Sequence, residues 1–379
     1  MTSHGIPRVS NADLEPDLSK QKQQQKIKDY RNLVSQVQEA TRTSHSYTVL
    51  PLTSKLLSQN PEYYTIWNER RRILNQHFDS LNSGTRIEDN TNNGVSDVPQ
   101  DEIGHLLRHD LAFIFPLLVK FPKCYWIWNH RLWLLQQASL RLSPTVARKF
   151  WTDELDLATK MLAKDSRNFH GWGYRRMVVA ELESNRLVEK SEEKDGPAQS
   201  NNMVKLEFDY TTRMINTNLS NFSAWHNRSK LIPRLLDDQN ADHAARKQLL
   251  NDELQLILEA LYTDPYDQSL WFYHTYLTTT FSASPQMKSF SIVPSLTIDE
   301  QVEYLDGEIE KLKELLPEAD DCKWIYQRLL DLCLDRRTMT ENEPVDTLST
   351  LLGWLGQLSK LDPLRAGRWR ELTARLKAL

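Results

Sequence analysis

Apolar side chains recur along most of this chain at steps of three and four residues, the spacing that gathers them on one face of an α-helix. The pattern is plain in LNDELQLILEALYT at 250–263. Period-two alternation, the mark of a half-buried strand, is scarce. A first helix is expected from near Lys20 through KQKQQQKIKDYRNLVSQVQEA. Three stretches interrupt the helical pattern, NSGTRIEDNTNNGVSDVPQ at 82–100, SNRLVEKSEEKDGPAQSNN at 184–202 and FSASPQMKSFSIVPSLTIDE at 281–300. Rich in turn formers or charge, they are expected to be surface insertions. Residues 1–20 are polar and contain Pro7 and Pro16, so a flexible tail is expected ahead of one helical domain at 21–379.

The helical pattern repeats. The runs PEYYTIWNERRRIL, FPKCYWIWNHRLWLL, SRNFHGWGYRRMVV, LSNFSAWHNRSKLI, DPYDQSLWFYHTYL and EADDCKWIYQRLL align on Trp67, Trp128, Trp172, Trp225, Trp271 and Trp324. Three residues before the tryptophan stand Tyr64, Tyr125, Phe169, Phe222, Gln268 and Asp321. Three after it stand Arg70, Arg131, Arg175, Arg228, His274 and Gln327, and six after it Ile73, Leu134, Val178, Leu231, Leu277 and Leu330. Positions −3, 0, +3 and +6 share one helical stripe, so ring, tryptophan and aliphatic residue are expected on one side. Asn168, Asn221, Asp267 and Asp320, four before the tryptophan, are good N-caps. Asn60-Pro61 and Asp264-Pro265 stop the preceding helix. Each copy is then a helix, a short turn and a second helix. One such pair cannot bury its apolar face alone, so the pairs must stack as a curved all-α solenoid.

The arginine at +3 has two readings, an ion pair or carbonyl bond at the joint between helices and a direct ligand contact. Its recurrence favours the joint, because an array needs one contact per joint and a ligand needs few.

Composition narrows the chemistry. Eleven glycines argue against a sheet-rich fold with many tight turns and against Gly-rich phosphate loops. The formal net charge of −4 gives no general affinity for polyanions. Arginines and aromatics interleave as on an RNA platform, but the arginines sit at stripe positions, so no nucleic-acid role is expected. Cys124, Cys322 and Cys333 are too few and scattered for a disulfide framework or a cysteine zinc knot. His105 and His109 in HLLRH share a helix face at i, i+4, and are read as surface histidines. No HExxH and no paired CxxC is present, so no metal site is expected in this chain. With no apolar run near the length of a membrane span and no signal-peptide core at MTSHGIPRVS, the chain reads as cytoplasmic.

The tryptophans lie 44 to 61 residues apart, too far for 34-residue tetratricopeptide repeats. The pattern N/D-x-x-x-aromatic-x-x-W-x-x-R over roughly 50–335 resembles the repeat of protein prenyltransferase α-subunits. NFHGWGYRR, NFSAWHNRS, DPYDQSLWFYH, the N-terminal HGIPR and LDPLRAGRW at 361–369 make it most similar to the Rab geranylgeranyltransferase branch. Longer members carry an immunoglobulin-like and a leucine-rich domain, which this chain has no room for, so the resemblance is to short, fungal-like forms. It implies a right-handed, crescent-shaped superhelix of helical hairpins, paired obligately with a β-subunit that carries zinc. Geranylgeranyl diphosphate would be the substrate, and cysteines of a Rab GTPase, presented by a Rab escort protein, the acceptors.

The residues the resemblance singles out are Lys123, Tyr125 and His170. Read alone, Lys123 at −5 is a solvated turn lysine, although the other copies carry Glu62, Arg167, Ser220, Tyr266 and Ala319 there. The matching lysine of prenyltransferase α-subunits reaches the diphosphate. Tyr125 and His170 match positions lining the same cleft, but a −3 aromatic also serves as core, and His170 lies off the stripe at −2. His4, in the polar tail, is a candidate to reach the partner's zinc, against a plain disordered tail. Two other functions fit the same residues. One is an α-subunit shared by farnesyltransferase and type I geranylgeranyltransferase, acting on C-a-a-X ends. The other is a non-catalytic α-solenoid scaffold.

Overall fold

The computed structural model describes residues 17–84, 98–187, 198–282, 291–339 and 346–377. Among them are fifteen α-helices and no strand. Helix α1 spans Asp17–Thr43, a little ahead of the expected start. Seven hairpins follow: α2 Leu50–Gln59 with α3 Tyr64–Gly84, α4 Val98–Lys120 with α5 Tyr125–Arg141, α6 Pro144–Lys164 with α7 Phe169–Glu183, α8 Ala198–Thr217 with α9 Phe222–Asp238, α10 His243–Thr263 with α11 Gln268–Thr278, α12 Ile298–Leu315 with α13 Lys323–Met339, and α14 Leu348–Leu361 with α15 Ala366–Lys377. The described helices gather into two compact units. The first holds α1 to α6 and α7 from His170 onward; the second holds the turn 165–169 and α8 to α15.

The tryptophan stripe explains how each hairpin closes. The indole N–H donates to the carbonyl six residues upstream, in the turn: Trp67 to Pro61 (2.8 Å), Trp128 to Pro122 (2.8 Å), Trp225 to Leu219 (2.8 Å) and Trp271 to Pro265 (2.7 Å). A buried ring thereby satisfies its one donor and fixes the angle between the paired helices. The −4 residue of the next copy reaches back to the same turn: Cys124 Sγ to Pro61 O (3.6 Å), Asn221 Nδ2 to Ser166 O (2.9 Å) and Cys322 Sγ to Pro265 O (3.1 Å). Asn221 and Asp267 also cap α9 and α11 as expected. Asp320 does not cap α13, which begins three residues later.

The +3 arginines are the joints. Arg228 on α9 forks onto Glu253 of α10 (Nε–Oε2 2.8 Å, Nη2–Oε1 2.6 Å) and donates backwards to Thr212 of α8 (2.7 Å). Tyr273 of α11 donates to the same carboxylate (2.6 Å). Arg131, Glu154 and Tyr174 repeat this in the first unit (Arg131 Nε–Glu154 Oε2 3.0 Å, Tyr174 Oη–Glu154 Oε2 2.6 Å), with Arg131 also donating to Leu111 O (3.0 Å). Burial, and next the carboxylate, push the Tyr174 and Tyr273 hydroxyls well up, so both stay protonated donors. In copy one the set is Arg70, Asp110 and His130; in copy five it is His274, Glu308 and Arg328. Asp110, Glu154 and Glu253 thus each join four helices from two consecutive hairpins, Glu308 joins three, and the joint reading of these arginines holds.

Four expectations need correction. The −3 rings Tyr64, Tyr125, Phe169 and Phe222 are 48 to 69% exposed, not part of the core. Each is the first residue of its helix, and a helical side chain covers the turn N-terminal to its own Cα, where these helices have none. In the sixth copy Trp324 is only part-buried, and Tyr326 takes the tryptophan's place, donating to Asp320 O six residues upstream (2.7 Å). Trp369 marks a seventh copy that the alignment missed. It is buried, three residues into α15, with its indole on Asp362 O (3.2 Å). Finally, the flanks of the 281–300 insertion are core: Phe281, Ile292 and Val293 are at most 1% exposed, and Phe281 stacks on Tyr304 at 5.3 Å. Serine and proline there signalled an absence of helix, which is not exposure. The insertion centres 85–97, 188–197 and 283–290, and the tail 1–16, lie outside the described residues.

The joint makes a stability prediction. Arg228→Met leaves Glu253 buried without its cation and should cost about 3–5 kcal/mol in urea unfolding. Arg228→Met with Glu253→Leu should recover most of that loss. A single variant as stable as the parent, or a double variant showing the full loss, would contradict the joint's role.

Candidate functional site

The candidate residues of the first unit lie on one turn and at two helix starts. The turn between α4 and α5 carries Lys123, exposed, immediately before Cys124 and Tyr125. It is held by Cys124 N–H on Phe121 O (3.0 Å) and by the Cys124 thiol on Pro61 O. Tyr125, half exposed, opens α5, and His170, half-buried, is the second residue of α7. The Tyr125 and His170 rings lie 6.1 Å apart. Tyr125 also meets Trp126 edge-on at 5.1 Å, and Trp126 meets Tyr64 at 5.2 Å. A row of exposed and half-buried rings therefore runs along the starts of α3, α5 and α7, with Lys123 on the turn beside it.

Electrostatics at this surface are set by partial burial. Desolvation lowers the His170 pKa, opposed by the nearby Glu62 carboxylate, so the imidazole is neutral and able to donate and accept. Burial raises Cys124 to about 11, with Glu62 adding to the rise, which makes this cysteine a structural thiol and not a nucleophile. The thiols of Cys322 and Cys333 are likewise pushed up by burial, the latter to about 12. Arg71 of α3 lies beneath the row. Its Nη2 donates to Asn129 Oδ1 (2.6 Å), its Nε to His130 Nδ1 (3.2 Å), and its guanidinium sits 5.7 Å from the Trp133 ring. Desolvation lowers its pKa, opposed by Tyr125.

Arg71, Asn129 and Glu62 were not picked out from the sequence. The run Arg70-Arg71-Arg72 after Trp67 was the available signal: Arg70 serves the joint and Arg72 pairs with Glu69, leaving Arg71 for something else. His105 and His109 are both exposed on α4, as expected. Among the described residues no three His, Cys, Asp or Glu side chains come together as metal ligands, so those residues do not fit a zinc ion. His4 lies outside the described residues. No described helix is long and apolar enough to cross a membrane.

Known proteins match this architecture along its length. Residues 47–77, 107–138, 151–182, 204–235 and 250–281 match the family model described as protein prenyltransferase alpha subunit repeat, covering the hairpins α2–α3 to α10–α11. A Schizosaccharomyces pombe protein named geranylgeranyl transferase type-2 subunit alpha is 35% identical over 99% of this chain and 99% of its own length. The Saccharomyces cerevisiae protein of the same name is 34% identical over 97% of this chain and 98% of its length. The Rattus norvegicus protein of that name is 32% identical over 72% of this chain, a match that spans 41% of the rat protein.

The buried histidine of the first joint makes stability here depend on pH. Burial pushes His130 down to about 4, against the pull of Asp110, whereas an unfolded histidine titrates near about 6.5. Between those values the unfolded chain binds the extra proton. The contribution is therefore complete above pH ~6.5 and falls as the pH drops toward ~4. From pH 7 to 5 this amounts to roughly 2 kcal/mol. Urea unfolding of His130→Gln should show a shallower slope over that range, and a slope equal to the parent's would refute the assignment.

Proposed function

The chain belongs to the protein prenyltransferase α-subunit family, and on that premise we propose that it serves as the α-subunit of a heterodimeric type II geranylgeranyltransferase. The enzyme moves a geranylgeranyl group from its diphosphate to cysteine thiols at the C-terminus of a Rab GTPase, which an escort protein presents. The β-subunit carries the zinc, and the exposed ring row is the face this chain offers to that partner. The complex works in the cytoplasm.

One observation carries this reading. The repeated arginines, tryptophans and carboxylates build the joints, while Lys123 and Tyr125 stand exposed two residues apart and the Tyr125 ring lies 6.1 Å from that of His170. As the bond between the allylic carbon and the diphosphate oxygen breaks, negative charge grows on the leaving group. Cations and donors already in place stabilise that charge more than they stabilise the ground state. Lys123 supplies an ammonium, Tyr125 a hydroxyl donor and His170 a neutral imidazole for a diphosphate oxygen. The joints below hold Tyr125 and His170 on helix starts, with Lys123 on the turn just ahead of Tyr125, so little reorganisation is required during the reaction.

The test is co-expression with a candidate β-subunit, following transfer of labelled geranylgeranyl to a Rab tail with and without escort protein. Lys123→Ala should lower escort-dependent transfer by about tenfold or more, about 1.4 kcal/mol of transition-state stabilisation. Unchanged transfer would leave this chain as a scaffold for its partner's chemistry. Escort-free transfer to C-a-a-X peptides would move it to the other branch of the family.

A further inference from the structure

Arg71 is a half-buried cation, yet among the described residues no carboxylate pairs with it. Its neighbour Arg70 is neutralised by Asp110. Arginine has donors and no acceptor, so every group it touches must present a lone pair. The oxygen of the Asn129 amide therefore faces Arg71, and the amide nitrogen faces the Tyr125 hydroxyl 3.1 Å away. Nδ2 donates there, so Tyr125 Oη accepts, and its own proton is free to be donated elsewhere. On the other side, His130 Nδ1 accepts from Arg71 Nε, which puts the ring proton on Nε2, where it is donated to Asp110 Oδ2 (2.8 Å). Asp110 is locked in the joint by Arg70.

One line of hydrogen bonds thus runs from the buried joint to an exposed hydroxyl, its polarity set throughout by two arginines. It ends in an outward O–H, backed by an uncompensated positive charge and standing two residues from Lys123. That combination suits an anion, since hydrogen bonds to charged groups are the strong ones. We propose that Arg71 and Asn129 are positioning residues, which turn the Tyr125 hydroxyl outward as a donor to the diphosphate of the prenyl substrate. This rests on the reading of the Lys123–Tyr125 surface as the place where diphosphate is held.

Asn129→Asp is the discriminating change. It is isosteric and keeps the bond to Arg71, but it offers Tyr125 only acceptors, so the hydroxyl must donate inward. In the complex with β-subunit, kcat/KM for geranylgeranyl diphosphate should fall about tenfold, as it should for Tyr125→Phe. Adding Asn129→Asp to Tyr125→Phe should cost less than a further twofold. Asn129→Ala, which leaves the hydroxyl free to rotate, should cost less than Asn129→Asp. Arg71→Lys keeps the charge but loses the fork, and its loss should likewise vanish in the Tyr125→Phe background. Thermal melting and gel filtration of each complex report folding separately. An Asn129→Asp loss that persists in full on Tyr125→Phe would mean simple charge repulsion and would overturn the proposal. So would Tyr125→Phe without effect where Lys123→Ala is impaired, a result that spares the site itself. If neither Lys123→Ala nor Tyr125→Phe alters transfer, the site reading and this inference fall together.

Discussion

The structure depends on a buried carboxylate that joins consecutive hairpins. Glu154 and Glu253 each take a forked arginine from the preceding hairpin and a tyrosine hydroxyl from their own. A buried ion pair is not in itself a strong source of stability, because desolvating two charges offsets much of their attraction. Its value here is geometric. The carboxylate is satisfied only when four helices arrive together, so a hairpin displaced by one helical turn leaves a buried charge unpaired. A purely aliphatic stripe would tolerate such a slip far better. The indole-to-turn bonds act within the hairpin as the carboxylates act between hairpins, and both are met by groups at fixed offsets from one tryptophan.

Departures from the repeated joint are informative for the same reason. At the first joint the carboxylate is the shorter Asp110, and the donor from its own hairpin is His130. A tyrosine hydroxyl would end the network at that point. An imidazole has a second nitrogen, and through it the joint extends to Arg71, Asn129 and the surface at Tyr125. Lys123, the one lysine at −5 in the aligned copies, stands on the same copy as His130. Two joints depart from the arginine-glutamate-tyrosine pattern, the first and the one built on His274 and Glu308, and the first is the one that leads to the candidate chemistry.

Much of the fold was readable because its signals are local. The Asp-Pro and Asn-Pro turns, the tryptophans of five copies and the aliphatic residues at +6 are set by near neighbours, and Ile73, Leu134, Val178 and Leu277 are buried as expected. Leu231 is only part-buried. Where the reading failed, residue identity misled or contacts were remote. Trp324 drew the sixth alignment two residues off Tyr326, although a tyrosine hydroxyl reaches the turn carbonyl as an indole does. Trp369 went unused although Asp362-Pro363 precedes it at the spacing that Asp264-Pro265 keeps from Trp271. At the site, Lys123, Tyr125 and His170 came from family resemblance. Arg71 and Asn129 could not be paired from sequence, because they stand 58 residues apart on different hairpins.

The most direct measurement is a crystal structure of this chain with its β-subunit and a non-hydrolysable geranylgeranyl diphosphate analogue. Phosphate oxygens should lie at hydrogen-bond distance, about 3 Å, from Lys123 Nζ and Tyr125 Oη. Asn129 Nδ2 should still donate to Tyr125. A diphosphate bound wholly by the partner, with Lys123 and Tyr125 facing solvent, would contradict that placement.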